Sequence, residues 1–208
     1  MNKNISKVHL EVLDKQRQEL LYNLFPFIQE FTLGGGTALV LQIAHRQLFA
    51  FDFFSFNELK VDINKKLSNL LTIDDISVNN KDEFTFLHYP FISHFKPLIF
   101  EDKLRIYSVK EVAIHKAYTI GRRGEYRDYF DLYSILKNQY IDFIELINLA
   151  KKVYGSLFNE KLFMEQLVYF GDLLDFNIIP ISESTIPSPT DIKNYFEKLV
   201  SDNLSKIF

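Results

Sequence analysis

Three consecutive glycines, Gly34, Gly35 and Gly36, stand directly before an apolar run of helical length, and a single acid, Asp52, follows in an aromatic, β-prone segment. Glycines that join a strand to a helix let backbone N–H groups approach a phosphate, which the helix dipole also favours. An acid on the next strand would face the same space and hold a metal ion over that phosphate. The pattern indicates a phosphate-binding turn beside an acid, while a plain turn is the alternative.

A second group of chemically active side chains lies between residues 103 and 131. Residues 103–127 hold seven basic groups and two acids, whereas the whole chain has a formal net charge of −3. This local surplus suits a triphosphate or a nucleic-acid backbone, or else a solvated corner between two helices. Asp128 and Asp131 are spaced i and i+3 and would share one helix face, where Asp131 could instead pair with Arg127.

Composition narrows the class of protein. The chain has 208 residues, 47% of them hydrophobic, which fits one domain or one domain with a helical appendage. It contains no cysteine, so disulfides and thiolate zinc sites are excluded and a reducing cytoplasm is expected. The N-terminus lacks a hydrophobic signal core, and no run approaches the roughly 18 apolar residues of a membrane span, so no membrane association is expected.

Hydrophobic periodicity predicts the elements that must position these residues. Helices are predicted within 5–31 and at 37–44, 57–71, 108–120, 126–137, 141–154, 159–175 and 190–205, with a Ser108–Glu111 capping box opening the fourth. Strands are predicted at 31–33, 48–54, 76–79, 84–88, 98–100 and 104–107, the last two at a sheet edge. The fold class is therefore α+β, with an N-terminal α+β unit at 1–107 and a helical half at 108–208 packed on it.

Four ordered motifs resemble a known family: G-G-G-T-A-L-V-L-Q-I-A-H-R, F-D-F-F-S, T-F-L-H-Y-P-F and K-A-Y-T-I-G-R-R-G-E-Y-R-D-Y-F-D-L-Y. Together they resemble the AbiEii/AbiGii-type nucleotidyltransferases, toxins of bacterial toxin–antitoxin and abortive-infection pairs, with the MenT toxins as relatives. The resemblance implies a DNA-polymerase-β-like nucleotidyltransferase fold, in which a mixed sheet has flanking helices. It also implies transfer of a nucleoside monophosphate from an NTP, with Mg²⁺, to an RNA acceptor such as tRNA or to a protein, and an antitoxin encoded nearby.

The resemblance also implies a set of nucleotide-binding residues. Gly35, Gly36 and Thr37 match the glycine motif that cradles the triphosphate, although Thr37 could be only a helix N-cap. Arg46 matches an arginine that binds phosphate or organises the loop, and it could instead pair with Asp52. The nucleotide-binding set is completed by two residues of the basic stretch, Arg123 and Arg127.

The implied catalytic residues are Asp52, Lys116 and Asp128. Asp52 matches the second acid of the family's D-x-D pair and is the implied metal ligand. Lys116 matches a helix lysine near the nucleotide, with a solvated surface lysine as the alternative. Asp128 matches an acid that serves as base or orienting group, with Asp131 in a supporting role.

This chain departs from the family at the first acid of the pair, which is Ala50 here, and at the usual serine, which is Leu48. Acids at i and i+2 of a strand point to one side and hold Mg²⁺ together, so a single acid leaves the ion with fewer ligands. No acid within 84–88 compensates. Two functions stay open: an active nucleotidyltransferase, or a catalytically degenerate homologue that binds a nucleotide, RNA or a protein.

Overall fold

The computed structural model describes residues 7–47, 50–59, 84–181 and 186–207. The strand predicted at 76–79 and most of the helix predicted at 57–71 lie outside these ranges, as do Leu48 and Phe49. The α-helices are α1 (Lys15–Leu24), α2 (Gly35–Ile43), α3 (Val109–Thr119), α4 (Tyr126–Lys137), α5 (Phe143–Tyr154), α6 (Glu160–Val168) and α7 (Pro189–Ile207). The strands are β1 (Thr32–Gly34), β2 (Phe51–Ser55), β3 (Phe84–His88), β4 (Leu98–Phe100) and β5 (Leu104–Ile106).

The described strands form one mixed sheet in the order β3-β2-β1-β5-β4. Strand β1 is antiparallel to β2 and parallel to β5, while β3 is parallel to β2 and β4 is antiparallel to β5. The predicted α+β class, with a helical C-terminal half, is confirmed. The prediction that β5 is an edge strand was wrong, because β5 pairs on both sides. The helix predicted at 159–175 ends at Val168, because Tyr169 adopts an extended conformation.

Alternation along β2 sends its side chains to two different environments. Phe51 and Phe53 are buried on one face, where the Phe53 ring stacks on Phe86 with 5.4 Å between centroids. Asp52 and Phe54 point to the opposite face, where Phe54 lies 5.9 Å from the ring of His115 in α3. The buried residues of both halves form one hydrophobic cluster, and the predicted division at residue 107 stays a prediction. No helix in the described ranges has the length and apolar content needed to cross a bilayer.

The predicted capping box at the start of α3 forms only in part. Ser108 is the N-cap and its hydroxyl accepts the backbone N–H of Glu111 at 3.3 Å. The Glu111 carboxylate does not reach back to Ser108. It accepts instead the backbone N–H groups of His94, at 3.0 Å, and Phe95, at 2.9 Å. Glu111 is fully buried, so it fastens the loop before β4 to α3.

We predict that Glu111→Ala lowers the free energy of unfolding by about 3 kcal/mol, because two N–H groups lose a charged acceptor. Urea denaturation followed by circular dichroism measures the change. The matched control is Glu145→Ala, which removes a half-exposed carboxylate paired with Lys110 at 2.9 Å and should cost less than about 1 kcal/mol. Equal losses in the two variants would contradict this role of Glu111.

Candidate functional site

The predicted glycine turn and Asp52 lie in direct contact. Gly34 of β1 is in register with Asp52 of β2, so the acid stands where β1 ends and α2 begins. Gly35 has φ of +60°, a left-handed conformation that favours glycine. A Cβ atom on Gly35 would lie 2.5 Å from Oδ2 of Asp52, which is too close for any side chain. The backbone conformation therefore favours glycine at position 35, and a side chain there would displace the carboxylate of Asp52.

The first turn of α2 has no side-chain cap. Its N-cap residue is Gly34, so the alternative in which Thr37 is the N-cap was wrong. Thr37 is buried in the first turn, and its hydroxyl donates to the carbonyl of Ala50. This bond ties the residue before β2 to α2. The N–H groups that open a helix lack intrahelical partners and attract negative charge, so this end of α2 suits an anion.

The Asp52 carboxylate is held near positive charge without forming an ion pair within the described residues. Burial raises the pKa of Asp52 above its ordinary value. The charges of Lys116, Arg123 and Arg127 oppose that rise but do not cancel it. A carboxyl group with a raised pKa is a better proton acceptor than an ordinary surface aspartate.

Lys116 is a buried residue of α3, 5% exposed, so the alternative of a solvated lysine was wrong. Its Nζ lies 2.6 Å from Oδ1 of Asp128 and 2.6 Å from Oδ2 of Asp131. Burial raises the pKa of Asp128, but the charge of Lys116 and the hydrogen bonds from Arg123 outweigh it and hold that pKa below its ordinary value. A carboxylate so stabilised is a weak base, which favours the orienting role for Asp128.

Asp131 binds the residues that follow α2. Arg46 donates to both of its oxygens, from Nε to Oδ1 at 2.7 Å and from Nη2 to Oδ2 at 2.9 Å. Nε2 of His45 also lies 2.6 Å from Oδ1. Burial raises the pKa of Asp131, but the charges of Arg46 and Lys116 outweigh it and hold that pKa well below its ordinary value. The alternatives that paired Arg46 with Asp52 and Asp131 with Arg127 were therefore wrong.

His45 was not among the predicted site residues. Burial lowers the pKa of His45, so the imidazole is neutral at pH 7. Its contact with Asp131 assigns the proton to Nε2. The ring stacks on Phe130 with 5.8 Å between centroids. The signal in the sequence was its place directly before Arg46, which puts both side chains at the end of α2.

The basic surplus of residues 103–127 is dispersed rather than gathered into one patch. Arg105 donates to the carbonyls of Gln29 and Phe31, and Arg122 donates to those of Tyr118 and Leu157. Three of the seven basic groups act on the charge of Asp52, namely Lys116, Arg123 and Arg127.

Arg123 and Arg127 present half-exposed side chains, each 52% accessible. Arg123 donates to both oxygens of Asp128, from Nε at 2.8 Å and from Nη2 at 3.0 Å. Nε of Arg127 lies 3.2 Å from a carboxylate oxygen of Glu125. Of the three cations that act on Asp52, these two guanidinium groups are therefore the accessible ones.

A pocket of about 530 Å³ adjoins this region, a size typical of small-ligand sites. Its wall includes Ala50, two residues before Asp52, and Thr85, which is in register with Asp52 on β3. The remaining lining residues are Arg46, Gln47, Glu125, Arg127, Asp175, Asn177, Ile178 and Ile179. The backbone N–H of Gln47 donates to the carbonyl of Ile179 at 2.7 Å, which joins the segment after α6 to the segment after α2.

The described residues do not fit a protein-held Mg²⁺ ion. Across the described ranges, no three Asp, Glu or His side chains come close enough to share an ion. Position 50 is alanine and position 85, the neighbour in register, is threonine. Both oxygens of Asp128 are already bonded to Arg123, and Lys116 binds it as well. Asp52 is the single carboxylate that these residues offer to the space beside α2.

Part of the chain matches the model of a known family. The family model described as "Nucleotidyl transferase AbiEii toxin, Type IV TA system" matches residues 75–168. This match confirms the resemblance predicted from the sequence. It spans Lys116, Arg123, Arg127, Asp128 and Asp131 but not the glycine turn or Asp52. The roles assigned to all of these residues stay predictions.

Individual proteins that resemble this chain share less than 30% of its sequence. An uncharacterised protein of Aquifex aeolicus (strain VF5), aq_aa25, is 28% identical over 207 residues, which cover 92% of this chain and 98% of the relative. Two crystal structures from Helicobacter pylori are also similar. One, described as that of a candidate nucleotidyltransferase, has a TM-score of 0.44 at 18% identity and covers 93% of this chain and 83% of its own. The other, JHP933, has a TM-score of 0.45 at 16% identity and covers 94% and 99%.

We predict that Gly35→Ala destabilises the fold and that part of the loss comes from contact with Asp52. Gly35 has φ of +60°, and a Cβ there would lie 2.5 Å from Oδ2 of Asp52. Positive φ should cost the variant about 1–2 kcal/mol. The contact with Asp52 should add roughly 1 kcal/mol. Urea denaturation of Gly35→Ala, Asp52→Ala and Gly35→Ala/Asp52→Ala checks this, and the second substitution should recover the added loss. A loss that Asp52→Ala leaves unchanged would contradict the contact.

We predict that Asp52→Asn raises the free energy of unfolding at pH 7. Because the folded state raises the pKa of Asp52, it binds the proton more tightly than the unfolded chain does. Stability contributed by this group is therefore present below the unfolded pKa of about 3.9 and is lost as the pH rises through the folded pKa. Denaturation of both proteins between pH 3 and pH 8 checks this. The gain in free energy of unfolding of Asp52→Asn over the unaltered protein should shrink toward pH 3. A gain that does not change with pH would contradict the raised pKa of Asp52.

Proposed function

Residues 75–168 match the AbiEii nucleotidyltransferase toxins, and on this premise we propose that the protein transfers a nucleoside monophosphate from an NTP to an acceptor. The acceptor class is RNA of the tRNA kind, with a protein hydroxyl as the other class. One observation carries the proposal: the carboxylate of Asp52 lies against Gly35 in the first turn of α2. An acid and a set of unpaired N–H groups thus face one space, as transfer of a phosphorus group requires.

The triphosphate binds at the N-terminus of α2 in this proposal. The uncapped N–H groups of Gly35, Gly36 and Thr37 donate to its oxygens, and the helix dipole favours its charge. Arg123 and Arg127 add the accessible positive charge, in the planar form that suits phosphate oxygens. The adjoining pocket, with Ala50 and Thr85 in its wall, accommodates the nucleoside.

The reaction is a displacement at the α-phosphorus. The hydroxyl oxygen of the acceptor forms a bond to that phosphorus, the bond from phosphorus to the bridging oxygen of the β-phosphate breaks, and pyrophosphate leaves with the electron pair. Asp52, whose pKa is raised by burial, accepts the hydroxyl proton and returns it to water. Mg²⁺ enters with the NTP as part of the substrate complex.

A second candidate function is binding of a nucleotide, RNA or protein partner without transfer. It is favoured by Ala50 in the position of an acid and by the closed ion pairs of Asp128. In this case Asp52 is a charge beside an anion site and opposes phosphate binding by repulsion. The matched family is named for a type IV toxin–antitoxin system, so a cognate antitoxin in the same cytoplasm belongs to either proposal.

We predict that the purified protein transfers label from one of the four α-labelled NTPs to total tRNA, and that Asp52→Asn lowers the rate by about 10²–10⁴-fold because the proton acceptor is lost. Gel autoradiography after incubation with Mg²⁺ measures the rate. The matched control is Asp202→Asn, a half-exposed acid of α7 near Lys198, which should retain full activity.

Titration calorimetry with each NTP separates the two functions. Under the second function no label moves, and Asp52→Asn binds the nucleotide more tightly than the unaltered protein because a repulsive charge is removed. Absence of both transfer and nucleotide binding would overturn both proposals.

A further inference from the structure

Five side chains form an unbroken chain of alternating charge through the protein: Arg46, Asp131, Lys116, Asp128 and Arg123. Lys116 stands in the middle, 2.6 Å from each carboxylate. Arg46 closes the inner end by its paired hydrogen bonds to Asp131, and Arg123 closes the outer end by paired hydrogen bonds to Asp128. The two ends differ in exposure, since the Arg46 side chain is 5% accessible and that of Arg123 is 52% accessible.

Each of the three nitrogens of the Arg46 guanidinium has a protein acceptor. Nε and Nη2 bind Asp131, and Nη1 donates to the carbonyl of Gln47 at 3.2 Å. Three of its five N–H donors are thus used inside the protein. Arg46 contributes to the wall of the pocket, but its two parallel hydrogen bonds go to Asp131.

We propose that Arg46 is a positioning residue, which holds Asp131 so that the ammonium group of Lys116 stays shared between two carboxylates and close to Asp52. The inference rests on the proposed function for the role of Asp52, but the geometry that carries it does not. Phe54, on the same face of β2 as Asp52, lies 5.9 Å from the ring of His115, the residue before Lys116. The charge of Lys116 acts on Asp52, together with those of Arg123 and Arg127. Among the described residues, the other side-chain partners of Asp131 lie at the end of α2 and are Arg46 and His45.

The physical reason is that Arg46 fixes one of the two carboxylates that hold Lys116. Asp131 is fully buried, and a buried carboxylate without compensating partners costs several kcal/mol. While Arg46 occupies both oxygens, Asp131 is compensated and Lys116 is divided evenly between the two acids. When the paired hydrogen bonds of Arg46 are lost, Asp131 shifts toward other polar partners or water, so the ammonium loses one of its two carboxylates and leaves the position it holds beside Asp52. Displacements of this kind alter the chemical step rather than substrate binding.

The test compares Arg46→Lys with the unaltered protein. Lysine keeps the charge but cannot make the two parallel hydrogen bonds. We expect kcat to fall roughly 10- to 100-fold while the KM for the NTP changes less than about twofold. If Arg46 instead binds the triphosphate, as its motif suggested, KM rises and kcat changes less, and the proposal is overturned.

A second measurement does not depend on transfer activity. Brief acylation of native protein by an amine-reactive ester, followed by peptide mass spectrometry, should show Lys116 at least about tenfold more reactive in Arg46→Lys, since burial and pairing protect it now. The control is Arg105→Lys, another arginine bound to backbone carbonyls, which should leave Lys116 protected. Lys110, partly exposed and paired with Glu145, serves as an internal reference for the extent of labelling.

The outcomes are separable. Loss of transfer in the unaltered protein counts against the proposed function, while increased labelling of Lys116 still supports the positioning role. Unchanged labelling of Lys116 in a folded Arg46→Lys overturns it. If that variant does not fold, Asp131→Asn is labelled instead and should expose Lys116 in the same way. Failure of both variants to fold would make the chain of charges a stabilising element only, and would overturn the proposal.

Discussion

Burial of two carboxylates on adjacent turns of α4 is the constraint on which this arrangement depends. Asp128 and Asp131 are fully inaccessible, and such groups are tolerated only when charged partners and hydrogen bonds replace water. Their partners come from three places: the segment after α2, the last turn of α3 and the turn before α4. Packing of these helices is thus coupled to electrostatics, because a shift in any one of them leaves a charge uncompensated. Lys116 and Arg123 gain fixed positions near Asp52 as a result.

The sequence was most informative where the determining contacts are local. The glycines predicted a strand that turns sharply into a helix, and the alternation of side chains along a strand places Asp52 on the face opposite Phe51 and Phe53. Both are found, because they depend on backbone conformation and alternation within a few residues. Contact between Gly35 and Asp52 follows from pairing of neighbouring strands, so this contact could also be predicted from the sequence.

The sequence did not predict which buried charges pair with each other. Spacing along one helix suggested Arg127 for Asp131, yet Asp131 binds Arg46, which is 85 residues away. Sequence spacing measures only the partners on the same helix, whereas a buried carboxylate takes whichever cation the tertiary packing brings to it. The same reason explains Glu111, whose carboxylate accepts hydrogen bonds from the loop before β4 and not from the N-terminus of α3. It also explains the basic stretch, in which Arg105 and Arg122 donate to backbone carbonyls.

The long separation between Arg46 and Asp131 has a consequence during synthesis. A ribosome adds about 5–20 residues each second, so the 85 residues between the two partners take roughly 4 to 17 seconds to emerge. During that interval the glycine turn and Asp52 are already outside the ribosome, but Arg46 and His45 have no acid to bind. Lys116 likewise waits for both of its carboxylates. An incomplete chain therefore carries the glycine turn without the charges around it, and the complete arrangement first exists once α4 has left the exit tunnel.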